Sequence, residues 1–244
     1  MLHTGQYILI GVSVLIAATV QTASGFGFSL LAVPIMSLMV PTELSVVIAA
    51  TLGTMTSSGQ AVSEREHADR PSVRRLLLSA MVGLPLGLVI LDVATSRQLK
   101  LGLVVVIFAF LIVDLRGVSL SHASTPVDIS AGFVAGVLTT SLSTNGPPLA
   151  MALHSRHLDP RTFRGTIATV LSVAGLVSLV MFAVTGHFSV DAGIAIAIAI
   201  PTMVLGFVIG HRLRPHLDPP RFRRMVTILL FVTGIVTIVS VVRG

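Results

Sequence analysis

Residues 21–34 read QTASGFGFSLLAVP and residues 139–153 read TTSLSTNGPPLAMAL. Each interrupts a long apolar stretch, 6–40 and 128–153, with glycine, proline and hydroxyl residues. A membrane span takes about 20 residues, so 6–40, with no charge along its length, is too long for one. The pattern predicts a helix, a break and a shorter helix in each stretch, as a re-entrant hairpin or as two short tilted spans. In lipid each unpaired backbone group costs several kcal/mol. Such breaks persist only where protein buries them or where they line a cavity.

The rest of the chain supports a membrane setting. Of 244 residues, 53% are hydrophobic and 11% charged, against about 25% charge in soluble domains. Mean hydropathy is +0.95. Six further apolar stretches have span length: 43–62, 76–93, 99–115, 165–185, 190–210 and 224–242. No cysteine is present, which excludes disulfides, zinc–thiolate sites and cysteine nucleophiles. Tryptophan is absent and there is one tyrosine, so any aromatic belt is thin. No Lys or Arg precedes Arg65, whereas a secretory leader needs a basic start. Residues 1–24 are therefore expected to be retained.

The net charge of +6 comes mainly from arginines in short loops, as the positive-inside rule expects, rather than from a nucleic-acid-binding surface. With loop 63–75 placed in the cytoplasm, all basic residues except Arg97, Lys100 and Arg243 fall on that side. The C-terminus is then expected outside.

The two halves resemble each other. Leu30–Pro34 precedes Pro148–Ala152 by 118 residues, and Gly83–Gly87 precedes Gly206–Gly210 by 123. Basic clusters follow each glycine pair, Arg97/Lys100 in one half and Arg221/Arg223/Arg224 in the other. The charge excess changes sides between equivalent loops. The expected fold is an all-α polytopic membrane protein of two inverted repeats. Each repeat holds a broken helix or hairpin plus three transmembrane helices, giving about eight to ten membrane segments. The first repeat covers 1–116, a cytoplasmic connecting loop 117–127, and the second repeat 128–244.

A half-helix that starts at a break carries about half a positive charge and free N–H groups at its N-terminus. Two such ends suit an anion without any Lys or Arg. The candidate substrate-binding residues are Gln21, Thr22, Ser24, Gly25, Phe26, Gly27, Ser143, Thr144, Asn145 and Gly146. Thr139, Thr140 and Ser141 lie beside them. Pro34, Pro147 and Pro148 are the candidate helix-breaking residues, although the last two could instead open the following helix. The run Thr51, Thr54, Thr56, Ser57, Ser58, Gly59, Gln60 reads as helix packing, with Gln60 the residue that could face a pathway. No mid-span acid or base offers a proton relay. His154/His157 and His211/His216 lack the carboxylate or thiolate that would complete a metal set, so neither metal nor cofactor is expected.

SGFGFSLLAVPIM near the N-terminus, STNGPPLAMAL opening the second half, and a GxxxG helix followed by a basic-start helix in each half resemble the sulfite exporter TauE/SafE family. The resemblance covers nearly the whole chain. It implies a secondary transporter for small sulfur-containing anions, such as sulfite, thiosulfate or organosulfonates, in a bacterial-type inner membrane. It leaves export and uptake equally open. The implied partners are the anionic substrate and the lipid bilayer, with no nucleic acid, and a homo-oligomer is compatible with the pattern. Two other classes fit the residues less well. One is a non-transporting accessory subunit, which close-packing glycines would also serve. The other is an intramembrane hydrolase acting through Ser24, which lacks a base within reach. The protein is not expected to be an enzyme.

Overall fold

The computed structural model describes residues 2–116, 124–156, 158–213, 216 and 219–243. Among these, regular structure is entirely helical. The helices are α1 (Thr4–Ser24), α2 (Phe28–Met36), α3 (Thr42–Ser63), α4 (Arg70–Val93), α5 (Ser96–Arg116), α6 (Thr125–Leu142), α7 (Gly146–His154), α8 (Pro160–Val184), α9 (Val190–Leu213) and α10 (Pro219–Arg243), with a 3-10 turn at Arg65–His67. Five are long and apolar enough to cross a membrane: α1, α4, Ser96–Val113 of α5, α8 and α9. The protein is an all-α, multi-pass membrane protein. Helix α3 matches the expected 43–62 stretch but is more polar, and its Thr54, Thr56, Ser57 and Gln60 are buried inside the bundle. Residues 117–123 of the expected connecting loop lie outside the described residues. Residues 125–127 are already helical, because Pro126 falls in the first turn of α6, where its missing N–H costs nothing.

Polar contacts identify the two ends of the bundle. At one end the Gln6 side chain donates to the Met39 carbonyl, and the Ser96 hydroxyl donates to the Glu43 carboxylate at 2.7 Å. His187 meets Asp92 there at 2.8 Å. At the other end Arg75 and Arg156 both pair with Asp128, and Arg164 faces Glu64 at 3.8 Å. Residues 6 and 39 thus share one end, and residues 128 and 156 share the other. Each interrupted stretch is a helical hairpin that returns to the end from which it started, and the two hairpins start from opposite ends.

The most extensive packing joins the halves: α4 lies on α6 and α1 on α9. Small residues let backbones touch. A Cβ at Gly83 or Gly87 of α4 would fall 2.2 Å from the Phe133 carbonyl oxygen or 2.0 Å from that of Val137. Gly132 and Gly136 of α6 are equally tight, at 2.5 Å from the Leu76 oxygen and 2.1 Å from the Ala80 oxygen. Gly206 and Gly210 of α9 press on α1, each 2.6 Å from a carbonyl oxygen, of Leu15 and Thr19. The outward faces of the helices are apolar, with Val82, Val105 and Val180 more than half exposed. In water that surface would be a liability; against lipid it is not.

Asp128 is 1% exposed and pairs with two arginines that are themselves partly exposed. Removing one partner of a buried ion pair costs about 3–5 kcal/mol, and partial exposure of the arginines places this site near the lower value. Asp128→Ala is expected to lower the detergent unfolding midpoint accordingly, whereas exchange of the surface residue Ser130 is not; thermal unfolding followed by light scattering checks this.

The helix starts at this end are locally encoded. The Asp69 carboxylate accepts from the Ser72 amide at 3.1 Å and opens α4. The Asp159 carboxylate accepts from the Arg161 and Thr162 amides and opens α8. Hydrogen bonds from the Thr162 hydroxyl and then the Thr162 amide hold the Asp159 carboxyl below its ordinary range.

Candidate functional site

Both breaks are built on left-handed residues. Gly25 closes α1 at φ 97°, its N–H donating to the Gln21 carbonyl at 2.7 Å. Ser143 closes α6 at φ 58°, and the next amide, of Thr144, donates to the Leu138 carbonyl at 3.1 Å. The αL region is costly for non-glycine residues. These two residues are 118 positions apart, the same offset that relates Leu30–Pro34 to Pro148–Ala152. A second left-handed glycine, Gly27 at φ 102°, leads into α2.

The prolines do something other than break helices. Pro34 lies inside α2, which runs past it to Met36. Pro147 and Pro148 occupy the first turn of α7, where an N–H would have no intrahelical acceptor. The breaks are instead set by Gly25 to Gly27 and by Ser143 to Asn145, because a left-handed residue redirects the chain abruptly while a first-turn proline extends the helix it opens.

The two short helices meet. The Ser29 and Ser143 hydroxyls are 2.8 Å apart. A Cβ on Gly146 would fall 2.8 Å from the Phe26 ring. Around this junction lies a cavity half-way along α3 and α8, lined by Gln21, Gly27, Ser29, Thr54, Ser57, Thr139, Ser143, Thr144, Asn145, Gly146 and Ser178, among others. It leaves about 40 Å³ for the centres of water-sized spheres. At roughly 10–15 Å³ for each water, that is room for a cluster of about three. Neither α2 nor α7 has a side-chain cap at its N-terminus. The first-turn N–H groups of a helix have no intrahelical partner, and both uncapped ends line the cavity.

Side chains in the wall are unequally used. Asn145 donates to the Thr139 hydroxyl at 2.9 Å, and that hydroxyl donates to the Ala135 carbonyl. Thr144 is 1% exposed, yet its hydroxyl has no partner. Gln21 is 2% exposed; its NH2 donates to the Ser57 hydroxyl at 2.6 Å, leaving Oε1 unpaired. Turning the Gln21 amide over keeps the contact, with Ser57 donating, and aims the NH2 at the unfilled position. Buried polar atoms are nearly always hydrogen-bonded. Gln21 and Thr144, both of them wall residues, are exceptions to that rule.

Of the residues expected from sequence, Gln21, Gly27, Ser143, Thr144, Asn145 and Gly146 come together here. Thr22, Ser24, Gly25 and Phe26 do not line this cavity. Thr22 is on the next position around α1 and faces a separate cavity toward the arginine-rich end. The Ser24 hydroxyl is consumed locally by the Val20 and Phe26 carbonyls. Gly25 backs onto the Arg164 side chain. Phe26 turns to Phe110, ring centroids 6.0 Å apart, beside a small apolar pocket. Sequence reading missed Ser29 and Ser178 as wall residues, and took Thr54 and Ser57 for packing residues. Thr54 does pack: a Cβ on Gly175 would fall 2.2 Å from its hydroxyl.

Comparison with known proteins identifies the family. Residues 9–237 match the family described as Sulfite exporter TauE/SafE. A probable sulfite/organosulfonate exporter TauE of Cupriavidus necator is 25% identical over 227 residues, 89% of this chain and 88% of that protein. A probable inner membrane transporter protein TsaS of Comamonas testosteroni is 29% identical over 103 residues, 41% of this chain and 42% of that protein. No solved structure matches. The chain therefore belongs to the sulfite exporter TauE/SafE family, whose members are membrane transporters and not enzymes.

Proposed function

We propose that the protein is a secondary transporter for a small sulfur oxyanion, bound where α2 and α7 meet. One observation carries this reading: two uncapped half-helix N-termini, from hairpins entering at opposite ends, line one buried cavity whose Thr144 and Gln21 side chains have unused hydrogen-bonding atoms. Helix ends and neutral donors hold an anion without trapping it in a fixed ion pair. The size of the cavity favours a compact ion such as sulfite over an aryl sulfonate.

The repeated αL positions, the exchange of α4·α6 for α1·α9 packing, and hairpins from opposite ends support two inverted repeats. In that reading the cavity sits near the bilayer midplane, as in other transporters of this design. The arginine-rich end faces the cytoplasm and the C-terminus the outside of a bacterial-type inner membrane. The name borne by the Cupriavidus necator relative agrees with sulfur anions as cargo.

The test is a thermal-shift screen against sulfite, thiosulfate, sulfoacetate, taurine, an aryl sulfonate, sulfate and chloride, followed by flux of labelled sulfite in proteoliposomes. A ligand at 100 times its Kd stabilises by about 2.7 kcal/mol. Stabilisation by small sulfur oxyanions together with saturable flux is expected. Stabilisation by chloride alone, with none from any sulfur oxyanion, would refute the substrate class.

A further inference from the structure

A second cavity lies between the central one and the arginine-rich end, lined by Thr22, Gln60, Glu64, Arg164, Phe207 and His211, among others. The wall between the two cavities is thin. Gln21 lines the central cavity and its neighbour Thr22 lines the second; Ser57 lines the central cavity and Gln60, one turn further along α3, lines the second. Three polar contacts make up this layer. The Gln60 NH2 donates to the Gln21 carbonyl at 3.0 Å, the Gln21 NH2 donates to Ser57, and the Gly25 amide shares the Gln21 carbonyl. On the far side of the layer the Thr22 hydroxyl and Gln60 Oε1 have no partner, although Thr22 is 2% and Gln60 7% exposed. Arg164, 18% exposed and facing Glu64 at 3.8 Å, stands at the mouth.

From this geometry we infer that the anion passes between the central cavity and the arginine-rich end through the Gln21–Gln60 layer, and that the Gln60 side chain closes the passage. The inference rests on the transport reading above and names its route. Gln60 is held shut by one neutral hydrogen bond to a carbonyl that already accepts another. Such a bond is readily exchanged for water or for a passing polar group. An amide also suits the position electrically: it lets an anion by without binding it as tightly as a fixed cation would. Arg164 attracts the ion to the mouth, and Glu64 tempers that attraction so that the ion leaves again.

The chain contains no cysteine, so an introduced one is unique. Ser57→Cys, on the central side of the layer, is treated with an impermeant methanethiosulfonate reagent from the arginine-rich face of oriented vesicles. Labelling is expected to be slow with Gln60 present. In the Gln60→Ala background it should speed up by about tenfold, the population change that one net hydrogen bond allows. Thr22→Cys, on the mouth side, should label at the same rate in both backgrounds, and a monodisperse elution profile with an unchanged unfolding midpoint shows that the variants are folded. A Ser57→Cys rate unaffected by Gln60→Ala, or faster from the opposite face, overturns the inference. Sulfite flux is measured in parallel in the cysteine-free protein. Accelerated labelling without sulfite flux refutes the substrate reading while the passage stands; flux with unchanged labelling refutes the passage alone.

Discussion

Gly87→Leu is expected to prevent the protein from folding in a recoverable form. A Cβ at Gly87 would stand 2.0 Å from the Val137 carbonyl oxygen and 2.3 Å from the Thr140 hydroxyl, which itself donates to the Leu84 carbonyl at 2.7 Å. Backbone cannot yield as a flexible side chain can, so α4 and α6 would have to separate along the largest helix contact in the bundle. Overpacking usually costs about 1–3 kcal/mol, and a four-carbon group driven into backbone exceeds that range. Gly83→Leu should behave alike. Gly193, in α9, has nothing within 4 Å of a built Cβ, so Gly193→Ala should raise stability by up to about 1 kcal/mol, the helix propensity gain. Monodisperse yield in detergent and the unfolding midpoint read both. A well-behaved Gly87→Leu protein would mean that the packing of α4 on α6 is wrong.

Thr144→Val should separate stability from transport. The hydroxyl has no partner in the protein and is buried. Replacing an unsatisfied buried hydroxyl by a methyl of similar shape should be neutral or stabilising. A hydrogen bond to a charged group is worth about 1.5–3 kcal/mol, so sulfite affinity should fall about 10- to 150-fold with the fold intact. Gln21→Leu should show the same loss of affinity, with a stability cost from the stranded Ser57. The measurement is the sulfite concentration that half-saturates the thermal shift, compared with the KM for flux. A Thr144→Val protein that binds and transports sulfite like the parent would place the anion elsewhere.

Much of the architecture was legible because hydrophobic length and interruption are one-dimensional properties. The stretches at 76–93, 165–185 and 190–210 became α4, α8 and α9, and both broken stretches became helix, break and short helix. The offset of 118 residues that relates Leu30–Pro34 to Pro148–Ala152 also separates the left-handed residues Gly25 and Ser143. What the sequence could not supply was rotation about a helix axis. Gln21 and Thr22 are adjacent in the chain and about 100° apart around α1, and they line different cavities. Ser24 and Ser143 both stand at a helix end, but the Ser24 hydroxyl is taken up by the Val20 and Phe26 carbonyls while that of Ser143 meets Ser29 across the junction. Ser178 is one of five hydroxyl residues in α8, and nothing in its surroundings along the chain distinguishes it from a packing residue.

Pro147 and Pro148 leave α7 with fewer first-turn amides than α2, where Phe28, Ser29 and Leu30 all retain theirs. In the transport reading proposed above, the two helix ends hold a shared anion by different means. One grips through main-chain groups, which substitution hardly alters. The other depends on Thr144 and Asn145, which a single codon change can exchange. Engineering or natural drift in anion preference should concentrate in the second break, with the first acting as a fixed anvil against which new side chains are tried.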